Sequence, residues 1–339
     1  MKRLAHVVSR QSGSAYPLVD LALILRRNGW QIQCFAYQHS ENIFTKADLS
    51  PLLISSFEDY QGKSHAPPDL LLTGTSIEAP DDQKFWHFAK QSKIKSIAWV
   101  DQPINLKERF HGAEESLPGL ILANDVETCK ALKSMGLAAT VKFIGSPHLR
   151  TLQKSLKRTV DKFSVYFATE PTTLDDSSIL EREISEYRRV NGFDDLDSYL
   201  MASQLVKQVR GKTGEPWRLY VKLHPRDSEN RFGGSLKHYY KNSSQIEYTD
   251  LNRDQIFERA HIVVGMRSMI LFEAAQLGVP VISFQPNRKT SSLVTDNRKN
   301  ILTLTTGRFD IEAVLDFLQS AHEMTLQEFK EDELILYIS

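Results

Sequence analysis

A group of basic residues follows an apolar run in the second half of the chain. Residues 219–223 are mostly apolar and predict a strand, and its end carries Lys222, His224 and Arg226 around a proline. Phosphate oxygens accept hydrogen bonds from such donors, and a neutral imidazole N–H can also donate to a phosphate. A histidine that only caps a loop at a solvated strand end is the structural alternative. Because His-Pro ends the strand at the place where a ligand is expected, we predict phosphate binding here.

A second pattern places a glycine and a serine between a strand and a helix within residues 262–284. Gly265 permits close backbone approach, and Ser268 follows Arg267 at the predicted helix start. The free N–H groups and the dipole of a helix start favour a phosphate without any metal. Glu273 lies about a turn and a half into the helix, where a carboxylate can accept both hydroxyl groups of a ribose. A surface glutamate that complements the helix dipole is the alternative for this residue.

Together the two patterns resemble the donor-binding half of GT-B glycosyltransferases. The resemblance covers residues 163–286 and includes Lys-Leu-His-Pro, Gly-x-x-Ser, Phe-Glu-Ala and Leu-Gly-Val-Pro-Val-Ile. It is nearest to bacterial surface-polysaccharide enzymes with a His-Pro motif, such as bacterial sialyltransferases and the CDP-glycerol glycerophosphotransferases of teichoic acid synthesis. Related segments occur in the UDP-N-acetylglucosamine 2-epimerase family. The resemblance implies that His224 and Ser268 contact the nucleotide phosphates and that Glu273 binds the ribose.

Inverting glycosyl transfer needs a base that takes the proton of the acceptor hydroxyl group, and a partly desolvated carboxylate at a strand end would serve. Asp101 is the candidate, because it directly follows the predicted strand 96–100. A turn aspartate that bonds its own backbone is the alternative. Asp69 precedes a strand and ranks lower, whereas residues 73–76 offer another polar strand end for the acceptor.

The first half of the chain resembles the family in layout only. Residues 11–15 predict a polar loop before a helix at 17–27, and Ser12, Gly13 and Ser14 in it resemble a glycine-rich acceptor-side loop. The family has several glycines where this chain has one. An ordinary strand-to-helix turn therefore remains an equal alternative.

Strands and helices alternate along the chain, as expected when parallel strands are joined by helical crossovers. Predicted strands lie at 3–9, 30–37, 70–73, 96–100, 119–123, 141–144, 163–168, 219–223, 245–248, 261–264 and 279–284. Predicted helices lie at 17–27, 83–91, 126–135, 177–210, 254–259 and 269–277.

A turn at 145–147 and the basic segment 149–162 interrupt this alternation and suggest domains 1–150 and 151–339. We expect an α/β protein of two Rossmann-like, doubly wound domains that face each other across a cleft, with the acceptor side first and the nucleotide-donor side second. Ligands of such sheets bind outside the carboxyl ends of the strands.

Composition narrows the classes of partner and site. The 42 Lys and Arg residues balance 42 Asp and Glu residues, so we expect no nucleic-acid partner. Cys34 and Cys129 lie far apart and the histidines lack zinc-site spacing, which argues against a disulfide framework and a metal site. The fingerprints of serine hydrolases, P-loop ATPases and NAD enzymes are absent from the sequence. Without a signal-peptide core or a long apolar run, a soluble, cytoplasmic protein is expected.

These patterns predict a metal-independent and cofactor-independent glycosyltransferase. It would transfer a sugar or an alcohol phosphate from a nucleotide-activated donor to a cell-surface glycan or lipid-linked acceptor. An epimerase or hydrolase of nucleotide sugars is one alternative, and a catalytically inactive binding or scaffold protein is another. Peripheral association with a membrane and the oligomeric state are left open.

Overall fold

The computed structural model describes residues 2–76, 81–101, 105–113, 115–170, 192–224, 247–289, 300–306, 308, 310–320 and 329–338. The chain divides into two compact units. The first is Met1–Thr151 together with Gln327–Ser339, and the second is Leu152–Leu326.

Within its described residues, the first unit contains one parallel sheet. Its strands are β1 (Leu4–Ser9), β2 (Gln31–Ala36), β3 (Leu52–Leu53), β4 (Leu70–Thr73), β5 (Lys95–Val100), β6 (Leu120–Ala123) and β7 (Thr140–Lys142). Its helices are α1 (Ser12–Arg27), α2 (Glu41–Lys46), α3 (Phe57–Lys63), α4 (Asp81–Gln91), α5 (Leu106–Phe110) and α6 (Val126–Ser134). The strand order is β3-β2-β1-β4-β5-β6-β7, with every pair parallel.

Both faces of this sheet are buried, as β1 illustrates. Ala5 and Val7 belong to the same apolar cluster as Leu18 of α1. Val8 belongs to a different cluster, which contains Tyr60 of α3. Neighbouring side chains of a strand point to opposite faces of the sheet. Because apolar residues of β1 point to both faces, helices must cover the sheet on both sides.

The second unit repeats this plan. The helix α7 (Pro147–Ser155) leads from the first unit into it. Its described elements are then β8 (Ser164–Ala168), α8 (Asp195–Thr213), β9 (Arg218–Lys222), β10 (Glu247–Tyr248), α9 (Arg253–Arg259), β11 (Ile262–Gly265), α10 (Met269–Gln276), β12 (Val281–Phe284), β13 (Ile301–Leu304) and α11 (Ile311–Ser320). The parallel strand order is β10-β9-β8-β11-β12-β13. The predicted α/β class with two parallel sheets is confirmed.

The predicted loop at 11–15 is wrong in its secondary structure. Helix α1 begins at Ser12, so Ser12, Gly13 and Ser14 form its first turn and Pro17 lies inside it. The Ala15 N–H group donates to the Gln11 carbonyl oxygen at 3.1 Å and closes that turn. The sequence suggested a start at Pro17 because proline favours the first helical position, but the helix begins more than one turn earlier.

The last residues of the chain belong to the first unit, whereas the predicted division at residue 150 placed them in the second. Helix α12 (Glu331–Ile338) groups with the first unit, because Leu334 and Ile338 are buried in the cluster formed around α1. Its entry is fixed by Lys330, whose N–H group donates to the Ile144 carbonyl oxygen at 2.7 Å. The basic segment predicted as a linker is also helical over α7, where Leu149 and Leu152 are buried.

Several short elements were not predicted, namely β3, β13, α2, α3, α5, α7, α11 and α12. Most span too few residues for a periodic pattern to stand out. The predicted helix at 177–210 is described only from Asp195, and residues 171–191 lie outside the described part of the chain.

Candidate functional site

The carboxyl ends of β8 and β9 lie side by side in the second sheet. The Thr169 N–H group donates to the Lys222 carbonyl oxygen at 3.0 Å, and the His224 N–H group donates to Thr169 Oγ1 at 2.8 Å. Lys222 and His224 therefore lie at the carboxyl edge, next to the residues that leave β8. Arg226, the third predicted cation, lies outside the described residues.

Gly265 ends β11 where the backbone of β8 passes close by. A Cβ atom on Gly265 would lie 2.9 Å from the Ala168 carbonyl oxygen, so a larger residue would push the strand ends apart. Ser268 is the N-cap residue of α10, and its side chain makes no capping hydrogen bond. The predicted strand, glycine and helix arrangement is present. The role of Ser268 in phosphate binding stays a prediction.

Glu170 also lies at this edge, and it is not among the residues predicted from the sequence. Its Oε1 atom accepts a short hydrogen bond from the N–H group of Arg267, directly before the N-cap of α10. Burial raises the pKa of the Glu170 carboxyl. This rise is opposed by the backbone and the charge of Arg267 and by the backbone of Ser268 and Met266. The signal in the sequence was its place just after the predicted strand 163–168, where ligand-binding groups are expected.

Glu273, the predicted ribose ligand, is buried within the second unit. Its two carboxylate oxygens lie 3.2 and 3.1 Å from Nη1 of Arg253. Arg253 is the first residue of α9, and Asn252 and Gln255 form a capping box at that helix start. The ion pair fixes the orientation of the carboxylate, and its role toward a ribose stays a prediction.

Asp101, the predicted base, lies at the carboxyl edge of the first sheet and is 2% exposed. Its Oδ1 atom accepts a hydrogen bond from Nη1 of Arg109 at 2.9 Å. The same guanidinium donates to the carbonyl oxygen and the hydroxyl group of Thr75. Asn124 Nδ2 donates to the Asp101 carbonyl oxygen at 3.0 Å. The carboxylate is thus held in a buried ion pair that ties β5 to the end of β4.

Asp82 is a second buried carboxyl group at this edge, and the sequence analysis did not select it. Its Oδ2 atom accepts from the Ser76 N–H group at 2.5 Å. Burial raises the pKa of Asp82 to about 7, despite that hydrogen bond and the charges of Arg10 and Arg109. A carboxyl group in this range can exchange a proton near neutral pH.

The predicted acceptor-side residues make contacts within the first unit. Ser12 Oγ donates to the His39 carbonyl oxygen at 2.8 Å, and Ser14 Oγ lies 3.0 Å from Ser9 Oγ. A Cβ atom on Gly74 would lie 2.5 Å from Ser14 Oγ, so the glycine after β4 leaves room for that serine. These contacts pack the ends of β1 and β4 together. An acceptor role for 12–14 stays a prediction.

Metal-ligand clusters and membrane-spanning helices were sought in the part of the chain that the structure describes. No three His, Cys, Asp or Glu side chains there are grouped as ligands of a metal ion would be. No described helix is both long and apolar enough to cross a bilayer.

Comparisons with known proteins find similarity in structure only. No protein-family model and no curated protein sequence matches this chain. A UDP-GlcNAc 2-epimerase from Methanocaldococcus jannaschii has a TM-score of 0.61 and 11% identity, over 99% of each chain. A UDP-GlcNAc 2-epimerase from Neisseria meningitidis, solved with UDP-GlcNAc bound, has a TM-score of 0.62 and 12% identity, over 99% of each chain. MurG from Acinetobacter baumannii has a TM-score of 0.52 and 11% identity, again over 99% of each chain.

The three similar structures agree on architecture over almost the whole chain, although sequence identity is low. Two α/β units with parallel sheets match the pattern that the sequence resemblance implied. The chain therefore has the GT-B fold.

Proposed function

We propose that the chain binds a nucleotide-activated sugar in its second unit and transfers the sugar, or an alcohol phosphate, to a cell-surface glycan or lipid-linked acceptor. The observation that carries this proposal is the edge formed by β8, β9 and β11. There, Thr169 contacts the His224 backbone and Glu170 contacts the Arg267 backbone. The two segments predicted to bind phosphate thus approach the same strand end from either side.

The donor's phosphate groups would bind to His224, Lys222 and the start of α10, where Ser268 supplies a hydroxyl group and the helix dipole favours negative charge. Arg267 and Arg226 would add charge. Glu273 would accept the ribose hydroxyl groups while Arg253 keeps its carboxylate oriented.

For the proton acceptor, the first unit offers two carboxyl groups in different environments. Asp101 is bonded to Arg109, which suits an anchoring role. The raised pKa of Asp82, about 7, suits proton transfer near neutral pH. We therefore propose Asp82 as the base and Asp101 as the residue that positions the edge around it.

Epimerisation of a nucleotide sugar is the second candidate. It is favoured by the TM-scores, which are 0.61 and 0.62 for the two UDP-GlcNAc 2-epimerases and 0.52 for MurG. Fold similarity at this identity does not distinguish the reactions, because one architecture hosts several chemistries.

The reaction can be identified by incubating the purified chain in D2O with a panel of nucleotide sugars, with and without oligosaccharide acceptors. Transfer predicts nucleotide release that depends on an acceptor, and mass spectrometry then detects a lengthened acceptor. Epimerisation predicts an isomeric nucleotide sugar that has gained deuterium. Hydrolysis predicts nucleotide release without an acceptor, and binding without turnover indicates a binding protein.

His224→Ala tests the donor site in the same assays. Losing a charged hydrogen bond costs about 1.5–3 kcal/mol, so the dissociation constant of the nucleoside diphosphate should rise about tenfold to a hundredfold. The corresponding nucleoside should bind as before, because it lacks the phosphates. Arg218→Ala is the matched control, because Arg218 lies at the exposed amino end of β9, the strand that precedes His224. This substitution should change neither the nucleotide nor the nucleoside dissociation constant. Equal affinity of parent and His224→Ala for every nucleotide that binds would contradict the proposed site.

A further inference from the structure

The start of α10 is already occupied in this structure by a carboxyl group of the chain itself. The Glu170 carboxyl group accepts from the Arg267 N–H group. The Ser268 and Met266 backbone also acts on it and opposes the rise in pKa that burial causes. These are the backbone groups at the helix start to which the donor's phosphate would bind.

Glu170 is held there by the elements around it. Its own N–H group donates to Asp195 Oδ1 at 3.1 Å, and Asp195 begins α8. The preceding residue, Thr169, bonds both the Lys222 carbonyl oxygen and the His224 N–H group. The backbone that leads into Glu170 is therefore fixed, and the side chain is directed at the helix start.

N–H groups at a helix start bind anions because they lack partners within the helix and because the dipole is positive there. A carboxylate and a phosphate therefore compete for the same donors. Like charges at short range repel strongly in a partly buried site, so both cannot remain there without cost.

We propose that Glu170 is an intramolecular competitor for the donor's phosphate groups, which bind to the start of α10 only when they displace its carboxylate. This inference rests on the proposed donor site.

The test uses inorganic pyrophosphate, because this probe needs no knowledge of the base or the sugar. Parent, Glu170→Ala and Glu170→Gln proteins, each as the full chain, are titrated while the amide signals of Arg267 and Ser268 are followed by NMR. Removing the carboxylate should move both signals before any ligand is added. It should also lower the pyrophosphate dissociation constant at least tenfold, because the competing charge is gone. The glutamine variant keeps the side chain's shape and covers the case in which the alanine variant fails to fold.

Glu247→Gln on the edge strand β10 removes the same charge elsewhere on the sheet and should change the constant less than twofold. A constant unchanged or raised in both Glu170 variants, or amide signals that do not respond to pyrophosphate in any variant, would overturn the inference. Tighter pyrophosphate binding by the variants without turnover of any nucleotide sugar would support the competitor and reject the proposed reaction. If the parent turns over a nucleotide sugar and the Glu170 variants bind pyrophosphate as the parent does, the proposed reaction is supported and the competitor is rejected.

Discussion

Asp82 and Asp101 are two buried carboxyl groups at one sheet edge, and their neighbours differ. Asp101 is paired with a buried guanidinium at 2.9 Å. Asp82 accepts from the Ser76 N–H group at 2.5 Å, and burial raises its pKa to about 7. This difference supports the proposal that Asp82 takes the acceptor proton and that Asp101 has a positioning role.

The raised pKa of Asp82 makes the stability of the chain depend on pH. Its folded pKa of about 7 lies above its ordinary value of 3.8, so the folded protein holds this proton to higher pH than the unfolded chain. The stability that results is complete below pH 3.8 and is lost as pH rises through 7. Asp82→Asn keeps an acceptor for the Ser76 N–H group but carries no such proton. Its free energy of unfolding, relative to that of the parent, should therefore rise by roughly 2–4 kcal/mol between pH 4 and 8.

Urea unfolding of both proteins across this pH range measures the difference. Asp332→Asn, at an exposed position of α12, is the control and should show no such trend. A difference between parent and Asp82→Asn that stays constant with pH would rule out a titration of Asp82 in this range.

At the scale of elements, helix α9 connects a cap to the candidate ribose ligand. Asn252 accepts from the Gln255 N–H group at 2.9 Å, and the Gln255 side chain accepts from the Asn252 N–H group at 2.9 Å. The helix then begins with Arg253, which bonds Glu273. The cap therefore sets where the arginine lies, and through it the orientation of a carboxylate on α10.

Asn252→Ala removes this cap and should lower the free energy of unfolding by about 0.5–2 kcal/mol, the usual cost of losing an N-cap side chain. Asn252→Asp keeps an N-cap acceptor of similar quality and should stay within a few tenths of a kcal/mol of the parent. Thermal and urea unfolding give both values. A loss of the same size in the aspartate variant would show that the cap is not the cause.

At the scale of the whole molecule, the chain's last helix stabilises the unit in which the chain began. Leu334 and Ile338 are both 2% exposed in the cluster that surrounds α1, whereas Leu336 of the same helix is 80% exposed. The first unit is therefore built from two distant parts of the chain.

Leu334→Ala should destabilise the first unit by about 2–5 kcal/mol, because a buried leucine loses its packing and leaves a cavity. Leu336→Ala on the exposed side of the helix is the matched control and should change stability by less than about 0.5 kcal/mol. Denaturant unfolding followed by tryptophan fluorescence in a Trp217→Phe background reports on the first unit, which holds the other tryptophans. Equal effects of the two substitutions would show that α12 does not pack as described.

The sequence by itself predicted the α/β class, most strands and the glycine and serine loop before α10. Apolar runs such as 70–73 and 219–223 are local, and they predict strands wherever the rest of the chain goes. The N-terminal start of α1 was missed, because one turn of a helix is too short to show the apolar periodicity that marks its buried face.

Only the tertiary structure decided which residues meet. Glu170 contacts Arg267, which lies 97 residues away in the chain, and α12 joins the first unit from the far end of the chain. Both contacts depend on how the strands and crossovers are arranged. Periodicity records the face on which a residue lies but not its partner on another element. Partner identity follows from strand order and register, which arise when the whole sheet packs.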